Sequence, residues 1–287
     1  MENNYKSLLK EFQERDYVSH IQEKGVINIS SYCLIDYNYR FLLDILPKNS
    51  RILEIGPGNG FFVDWLLING YINIALVDLD RNNVKYLKEK YKNLKSVKIY
   101  ESDAVNFLKN CSESFDVIIT RQLVEHLFLE EIFNFFRYSK NCLSENGLLI
   151  NETINSCNLV YGNYFRYDDF SHYISFTPKS YIQFSYPYFS TTFLNYKIPS
   201  TITLLKYYFS KDVRNKINKL SKLLFYKNKK SVNIYNSNNS FKEKLKMLIN
   251  YHENYVAWKK SLKFSKKYLP NEKIVSHFFI AISKVKH

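Results

Sequence analysis

The chain has 287 residues, a formal net charge of +14, and 46% apolar and 17% aromatic residues. That length can bury a core of ~200 residues plus additions, and no apolar run reaches the ~18 residues that a membrane-spanning helix needs. Met1–Lys6 lacks the apolar centre of a signal peptide, and Cys33, Cys111, Cys142 and Cys157 show neither metal nor disulfide spacing, so free thiols in a reducing cytoplasm are expected.

Residues 1–48 read as a helical cap, with one helix over Tyr5–Phe12 and another over Tyr39–Leu46 before Pro47. Ile52–Ile55 is a short apolar run of the kind a buried strand makes. Gly56, Gly58 and Gly60 follow at alternate positions, and Phe61–Leu67 then reads as a helix. A strand entering a helix through a glycine turn lets backbone approach a ligand closely and aims helix N–H groups at it. The dinucleotide fingerprint would need a glycine where Phe61 stands, and a phosphate-binding P-loop would need Gly-Lys-Ser/Thr, which is absent. The next strand, Ile72–Val77, ends at Asp78, where a carboxylate can accept from both hydroxyls of a ribose. Asp80 suits the N-cap of a helix from Arg81 to about Lys92. A third strand, Val97–Tyr100, leads into Ser102-Asp103-Ala104. A fourth, Phe115–Thr120, is followed by Arg121-Gln122-Leu123-Val124-Glu125-His126-Leu127, and a fifth covers Gly147–Asn151.

Glu54-x-Gly56-x-Gly58-x-Gly60 resembles the first motif of class I S-adenosylmethionine (SAM)-dependent methyltransferases, and the later segments match that family in order. The resemblance implies a Rossmann-like α/β fold. Its sheet would have seven mostly parallel strands, the last antiparallel, with helices on both faces and a core over residues 49–198. It implies SAM as cofactor and S-adenosylhomocysteine as product. It also implies cofactor contacts from Glu54, Gly56, Gly58, Gly60, Asp78, Leu79, Asp103, Ala104 and Arg121, with Asp103 meeting the adenine amino group.

The stretch from Asn163 to Pro178 is unusually aromatic and gathers Arg166, Asp169 and His172. It resembles a segment of bacterial methyltransferases found with polysaccharide-biosynthesis proteins, with Ser171 where that pattern has Thr and Tyr173 where it has Glu. Thr177 and Pro178 make a helix start. Methylating a hydroxyl requires removal of its proton. His172 is the expected base, Asp169 its orienting carboxylate, and His126 the alternative. The segment Gln122-x-x-Glu125-His126 is similar to a metal-binding Glu-x-x-Glu-His with its first carboxylate missing. A site of Glu125, His126 and His172 is therefore the weaker expectation, and no metal the stronger.

A sixth strand is expected at about Thr191–Lys197 and the last at Val275–Lys284, within a final segment of 273–287. Residues 199–272 between them read as an inserted helical segment. Leu204–Phe209 and Val213–Phe225 show helical apolar spacing, Lys227–Ser240 reads as loop, and Phe241–Lys260 as helix. Residues 196–287 carry 21 of the 41 Lys+Arg but 4 of the 27 Asp+Glu. Such a segment seeks phosphate. An anionic membrane met through 204–230 and a nucleotide-linked small molecule both answer that description; the competing reading is an apolar face packed on the core with solvated lysines. The expected function is SAM-dependent O-methylation of a sugar or nucleotide-linked sugar for a surface polysaccharide. Methylation of nucleic acid or of another small molecule, and SAM binding without catalysis, are the alternatives. Nucleic acid is disfavoured by the absence of an Asn/Asp-Pro-Pro-Tyr/Phe motif or a known RNA-binding module.

Overall fold

The computed structural model describes residues 25–224, 241–269, 273, 274, 276 and 278–286. The expected helix at Tyr5–Phe12, the loop at Lys227–Ser240, Phe225, Val275 and His277 lie outside the described residues.

The central strand β1 (Arg51–Ile55) shows how the sequence builds the sheet. Ile52 packs into the apolar cluster on one face and Leu53 into that on the other, the period of two that a strand buried on both faces requires. Around it lie β2 (Asn73–Asp78), β3 (Val97–Glu101), β4 (Phe115–Arg121), β5 (Leu143–Ile154), β6 (Phe189–Asn195) and β7 (Phe278–Val285). The sheet order is β3-β2-β1-β4-β5-β7-β6. β7 runs antiparallel to both β5 and β6, and the remaining pairs are parallel. Six carboxyl ends therefore share one edge, where ligands of such sheets bind.

One face is covered by α1 (Ile29–Tyr39), α2 (Leu42–Ile45), α3 (Phe61–Ile68) and α4 (Arg81–Lys90). The other is covered by α5 (Ala104–Asn110), α6 (Leu129–Cys142) and α8 (Pro178–Ser185), whose Phe135, Phe136, Tyr181 and Phe184 fill the second cluster. A short helix, α7 (Tyr161–Asp168), follows β5. Between β6 and β7 stand α9 (Thr201–Phe209), α10 (Lys211–Leu224) and α11 (Phe241–Tyr268). No described helix is long and apolar enough to cross a membrane.

Several boundaries move from their expected places. The helix expected over Tyr39–Leu46 is two pieces: α1 starts early, because Asn28 Oδ1 accepts from the Ser31 N–H (2.8 Å), and ends where the Arg40 N–H bonds the Asp36 carbonyl. β6 begins two residues early and stops before Tyr196, because the Lys197 N–H turns away to Asn38 Oδ1 (2.8 Å). α11 runs past Lys260 to Tyr268, with Ser261 and Ser265 buried against the chain that follows β5. Asn158 Nδ2 donates to Ser261 Oγ (3.3 Å) and the Leu159 N–H to Ser265 Oγ (3.0 Å). In the basic segment, Leu204, Val213, Ile217, Leu220 and Leu224 are buried in the core, Leu205 and Tyr208 are half-buried, and Leu223 is exposed. The apolar face of α10 is thus occupied by packing, and its lysines are left to solvent.

Candidate functional site

The glycine turn is braced from beneath. Gly56, Gly58 and Gly60 all have positive φ (69°, 52° and 75°), where any side chain is strained. A Cβ on Gly60 would overlap the Tyr91 hydroxyl, and one on Gly56 would stand 3.1 Å from Leu123 Cδ1. That hydroxyl donates to the Gly60 carbonyl (2.8 Å), and Lys90 Nζ donates to the Asn59 carbonyl (2.9 Å) and to Asp64 Oδ2 (2.9 Å). Asp64 and Lys90 form an ion pair with both side chains fully buried. Leu123 ties the segment after β4 to the same turn.

Asp78 ends β2 beside this turn. Its Oδ1 accepts from the Asp80 N–H (2.9 Å) and its Oδ2 from Asn83 Nδ2 (2.6 Å), and the same amide donates to the Gly58 carbonyl (2.9 Å). Burial pushes the Asp78 carboxyl up to about 6, against those two donors. Leu79 is 45% exposed, an apolar side chain offered to the same edge. Asp80 caps α4 as expected. Asp103 is exposed and spends Oδ1 on the Asn106 N–H (2.7 Å), capping α5, while Ala104 is buried at that helix's first position.

Glu54 is buried within β1. Burial pushes its carboxyl up to about 7, with Arg121 opposing, and its Oε2 has no hydrogen-bond partner among the described residues. Arg121, at the end of β4, stands over the rings of Tyr39 (5.7 Å) and Phe62 (5.4 Å), with Nε 3.6 Å from Glu152 Oε2. Burial works against its charge, and Glu152, Tyr39, Tyr196 and Glu54 more than offset it. Its Nε also lacks a hydrogen-bond partner among the described residues.

After β4 the chain makes a tight turn at Gln122, a non-glycine residue with φ of 52°, and a short 3-10 turn, Val124–His126, presents His126. The loop after α7 returns beside it. His126, Asp169 and His172 then lie with their ligand atoms within 4.8 Å of one another, and the two imidazole centroids are 4.5 Å apart.

Hydrogen bonding fixes both tautomers. The His172 Nδ1 stands 2.6 Å from the Phe165 carbonyl, which can only accept, so Nδ1 carries the proton. Ser171 Oγ donates to Asp169 Oδ1 (2.6 Å) and therefore accepts from His126 Nδ1 (2.9 Å). Each imidazole keeps its Nε2 lone pair. Burial, and then the neighbouring His172, push His126 down to about 4, so it is neutral at ordinary pH.

Asp169 thus orients His126 through Ser171, whereas the sequence pairs it with His172. Glu125 does not join the histidines: its Oε2 accepts from Thr153 Oγ1 (2.9 Å) and its carbonyl from the Tyr173 N–H (2.8 Å). Asp169 stands where the sequence-based metal set has Glu125. Tyr173 stacks on Phe128 with centroids 4.4 Å apart. Asn83, Ser171, Tyr91 and Lys90 carry the site without having been picked out as site residues. Ser171 alone left a trace, as a hydroxyl retained in place of the related segment's Thr.

Comparison with known proteins bears on the same residues. A family described as methyltransferase domain matches residues 53–151, from β1 to the end of β5's central run. Ribosomal RNA small subunit methyltransferase A of Coxiella burnetii (strain RSA 331 / Henzerling II) is 43% identical over 60 residues, 21% of this chain and 23% of that protein. The chain therefore spans about a quarter of the length of the curated relatives it matches. Among solved structures, a SAM-dependent methyltransferase from Archaeoglobus fulgidus superposes with a TM-score of 0.53 at 16% identity, covering 89% of this chain and 94% of that one. The YcgJ protein from Bacillus subtilis gives 0.50 at 12% identity, covering 88% and 98%. At these identities the likeness is one of fold.

SAM carries an amino-acid end with an ammonium and a carboxylate; Glu54 Oε2 is buried without a hydrogen-bond partner among the described residues, and Arg121, ion-paired with Glu152, keeps an Nε that makes no hydrogen bond among them, so the two side chains offer matching opposite charges. The glycine turn and Asp78 supply what the rest of such a molecule needs, so the residues present fit the cofactor. Residues 53–151 match a methyltransferase-domain family, and the sheet that carries them has a Rossmann-like methyltransferase fold whose exposed edge fits SAM.

Proposed function

We propose that the protein is a SAM-dependent methyltransferase acting on a hydroxyl of a sugar or nucleotide-linked sugar, of the kind built into surface polysaccharides. A cytoplasmic location, with the lysine-rich outer face of α10 open to anionic surfaces, belongs to the same proposal. The observation that carries the reading is the His126–Asp169–His172 cluster, which gathers two basic nitrogens on loops that follow β4 and β5.

When bound, SAM supplies a sulfonium that makes its methyl group electrophilic. Glu54, Arg121, the glycine turn, Asp78 and Leu79 would hold it. His172 Nε2, with Nδ1 committed to Phe165, accepts the acceptor's hydroxyl proton as the oxygen attacks. His126, kept in one tautomer by Ser171 and Asp169, is the second acceptor beside it. The exposed rings of Tyr164, Tyr167 and Phe170 offer apolar faces on which a sugar ring can lie.

A second reading, methylation of RNA, draws on the local likeness to a ribosomal RNA methyltransferase and on the basic segment. Offering nucleotide-linked sugars and short RNAs to the protein with SAM, and measuring S-adenosylhomocysteine, separates the two. With the sugar substrate, His172→Ala should cut the rate ~10²–10⁴-fold and leave SAM binding intact. Turnover on RNA alone would overturn the sugar reading, and an unimpaired His172→Ala would remove His172 as the base.

A further inference from the structure

A second concave site stands at the same edge of the sheet, outside the methyltransferase residues. It is a cleft of about 340 Å³ between α11 and the chain that leaves β6, at the small end of the range for small-molecule sites. α11 presents Tyr255, Trp258, Lys259 and Lys266 to it from one helical face, and Tyr37 and Lys197 stand among the other lining residues.

Its chemistry is specific. Lys197, Lys259 and Lys266 are exposed, and no carboxylate pairs with them among the described residues. Tyr255 and Trp258 hold their rings 5.8 Å apart at 37°, with Lys259 Nζ 5.8 Å and 5.9 Å from the two ring centres. Trp258 is 6% exposed, and its indole N–H finds no acceptor among the described residues. Three unpaired ammonium groups beside two adjacent aromatic rings suit a ligand that is both polyanionic and flat.

The cleft is also joined to the histidine cluster. Phe165, whose carbonyl holds His172 Nδ1, stacks on Phe278 (5.2 Å), and Phe278 meets Tyr196 (5.7 Å), the neighbour of Lys197. The loop after β5 is bonded to α11 through Ser261 and Ser265. Packed rings and two serine hydrogen bonds therefore connect the elements that carry the two sites.

We infer that this cleft binds the diphosphate and base of a nucleotide-linked acceptor, with Lys197, Lys259 and Lys266 on the phosphates and Tyr255 and Trp258 against the base. This rests on the methyltransferase reading above and deepens it: the nucleotide is the handle, and the attached sugar is the part that reaches the histidines.

The full chain, saturated with S-adenosylhomocysteine so that the cofactor site is filled, is titrated calorimetrically with UDP, CDP, GDP, ADP and inorganic pyrophosphate. At least one nucleoside diphosphate should bind, and more tightly than pyrophosphate. Lys259→Ala/Lys266→Ala should weaken it by roughly 3- to 30-fold, the range that two exposed ion pairs provide. Trp258→Leu should weaken the nucleotide but not pyrophosphate, and S-adenosylhomocysteine affinity should stay unchanged in both variants. Absence of binding by all four nucleotides, or wild-type affinity in the lysine double variant, would overturn the assignment. So would displacement by a single-stranded RNA decamer at lower concentration than by the free nucleotide. Wild-type protein that takes the nucleotide but not S-adenosylhomocysteine would support the cleft and overturn the methyltransferase reading, which keeps the two failures distinguishable.

Discussion

The side-chain amide of Asn83 bonds Asp78 Oδ2 at 2.6 Å and the carbonyl of Gly58 at 2.9 Å, joining the end of β2 to the glycine turn after β1. The carboxylate expected to hold a ribose is thus aimed by a residue five positions later, on the first turn of α4. Asn83→Ala should free Asp78 and cost SAM ~1–2 kcal/mol, about 5- to 30-fold in affinity. Asp78→Ala should cost ~2–5 kcal/mol. Burial pushes the Asp78 carboxyl up to about 6, and a protonated carboxyl has lost acceptor capacity. SAM affinity should therefore fall as pH drops through 7, where Glu54 gains a proton, and fall further through 6 in the wild type, and Asp78→Asn should lose only the second step. Calorimetry on folded variants checks all three, and unchanged affinity in Asp78→Ala would remove the ribose assignment.

The chain's legibility in sequence follows the range of the interactions involved. Strands β1, β2 and β4 were readable because short, mostly apolar runs that end at a turn residue or a charge need no knowledge of partners. The antiparallel β7 between β5 and β6 was readable only through the family resemblance. Lys90 was not: on α4 it continues a run of helix-surface lysines, and only the fold places it under the turn against Asp64, 26 positions earlier. The sequence paired Asp169 with His172, and the fold adds a link from Asp169 through Ser171 to His126. Ser171 can bridge Asp169 to His126 only because the chain turns back at Asp169, whose Oδ1 also accepts the Ser171 N–H (2.8 Å). The burial of Val213, Ile217, Leu220 and Leu224 was implicit in their spacing of three and four, and lysine content alone pointed the other way.

Metal removal tests what the His126–Asp169–His172 cluster is for. Two Nε2 lone pairs and one carboxylate, already accepting twice from Ser171, carry too little negative charge for Mg²⁺ and suit nitrogen-preferring cations. On the proton-transfer reading, EDTA should leave turnover unchanged, and added Zn²⁺ should inhibit by consuming the lone pairs that accept the proton. Activity lost with EDTA and restored by a divalent cation would make the cluster a metal centre instead.

Lys90 holds the glycine turn through charge. Burial pushes the Asp64 carboxyl up and the Lys90 ammonium down, and each partner offsets part of the other's cost. Lys90→Met would leave Asp64 buried with the Ile27 N–H (2.8 Å) as its one full donor, because the single Tyr91 hydroxyl proton is shared between Asp64 Oδ1 and the Gly60 carbonyl (both 2.8 Å). Removing one partner of such a pair costs ~3–5 kcal/mol. Denaturant unfolding should show that loss, and Asp64→Leu/Lys90→Met should recover much of it. A Lys90→Met variant as stable as wild type would mean that the pair contributes nothing to the turn.

Glu125 gives stability a pH dependence of known sign. It is fully buried, with Oε1 lacking a hydrogen-bond partner among the described residues and Thr153 donating to Oε2. Burial pushes its carboxyl from 4.5 up to about 8. Between those values the folded chain keeps a proton that the unfolded chain has released. The resulting stability is complete below pH 4.5 and is lost as pH rises through 8. Glu125→Gln keeps the shape and removes the titration. Its stability relative to wild type should therefore improve by on the order of 1–3 kcal/mol between pH 5 and pH 8.5. Denaturant midpoints of both proteins at the two pH values measure that change. A difference that is the same at both would show that Glu125 is not carrying a proton in the folded protein.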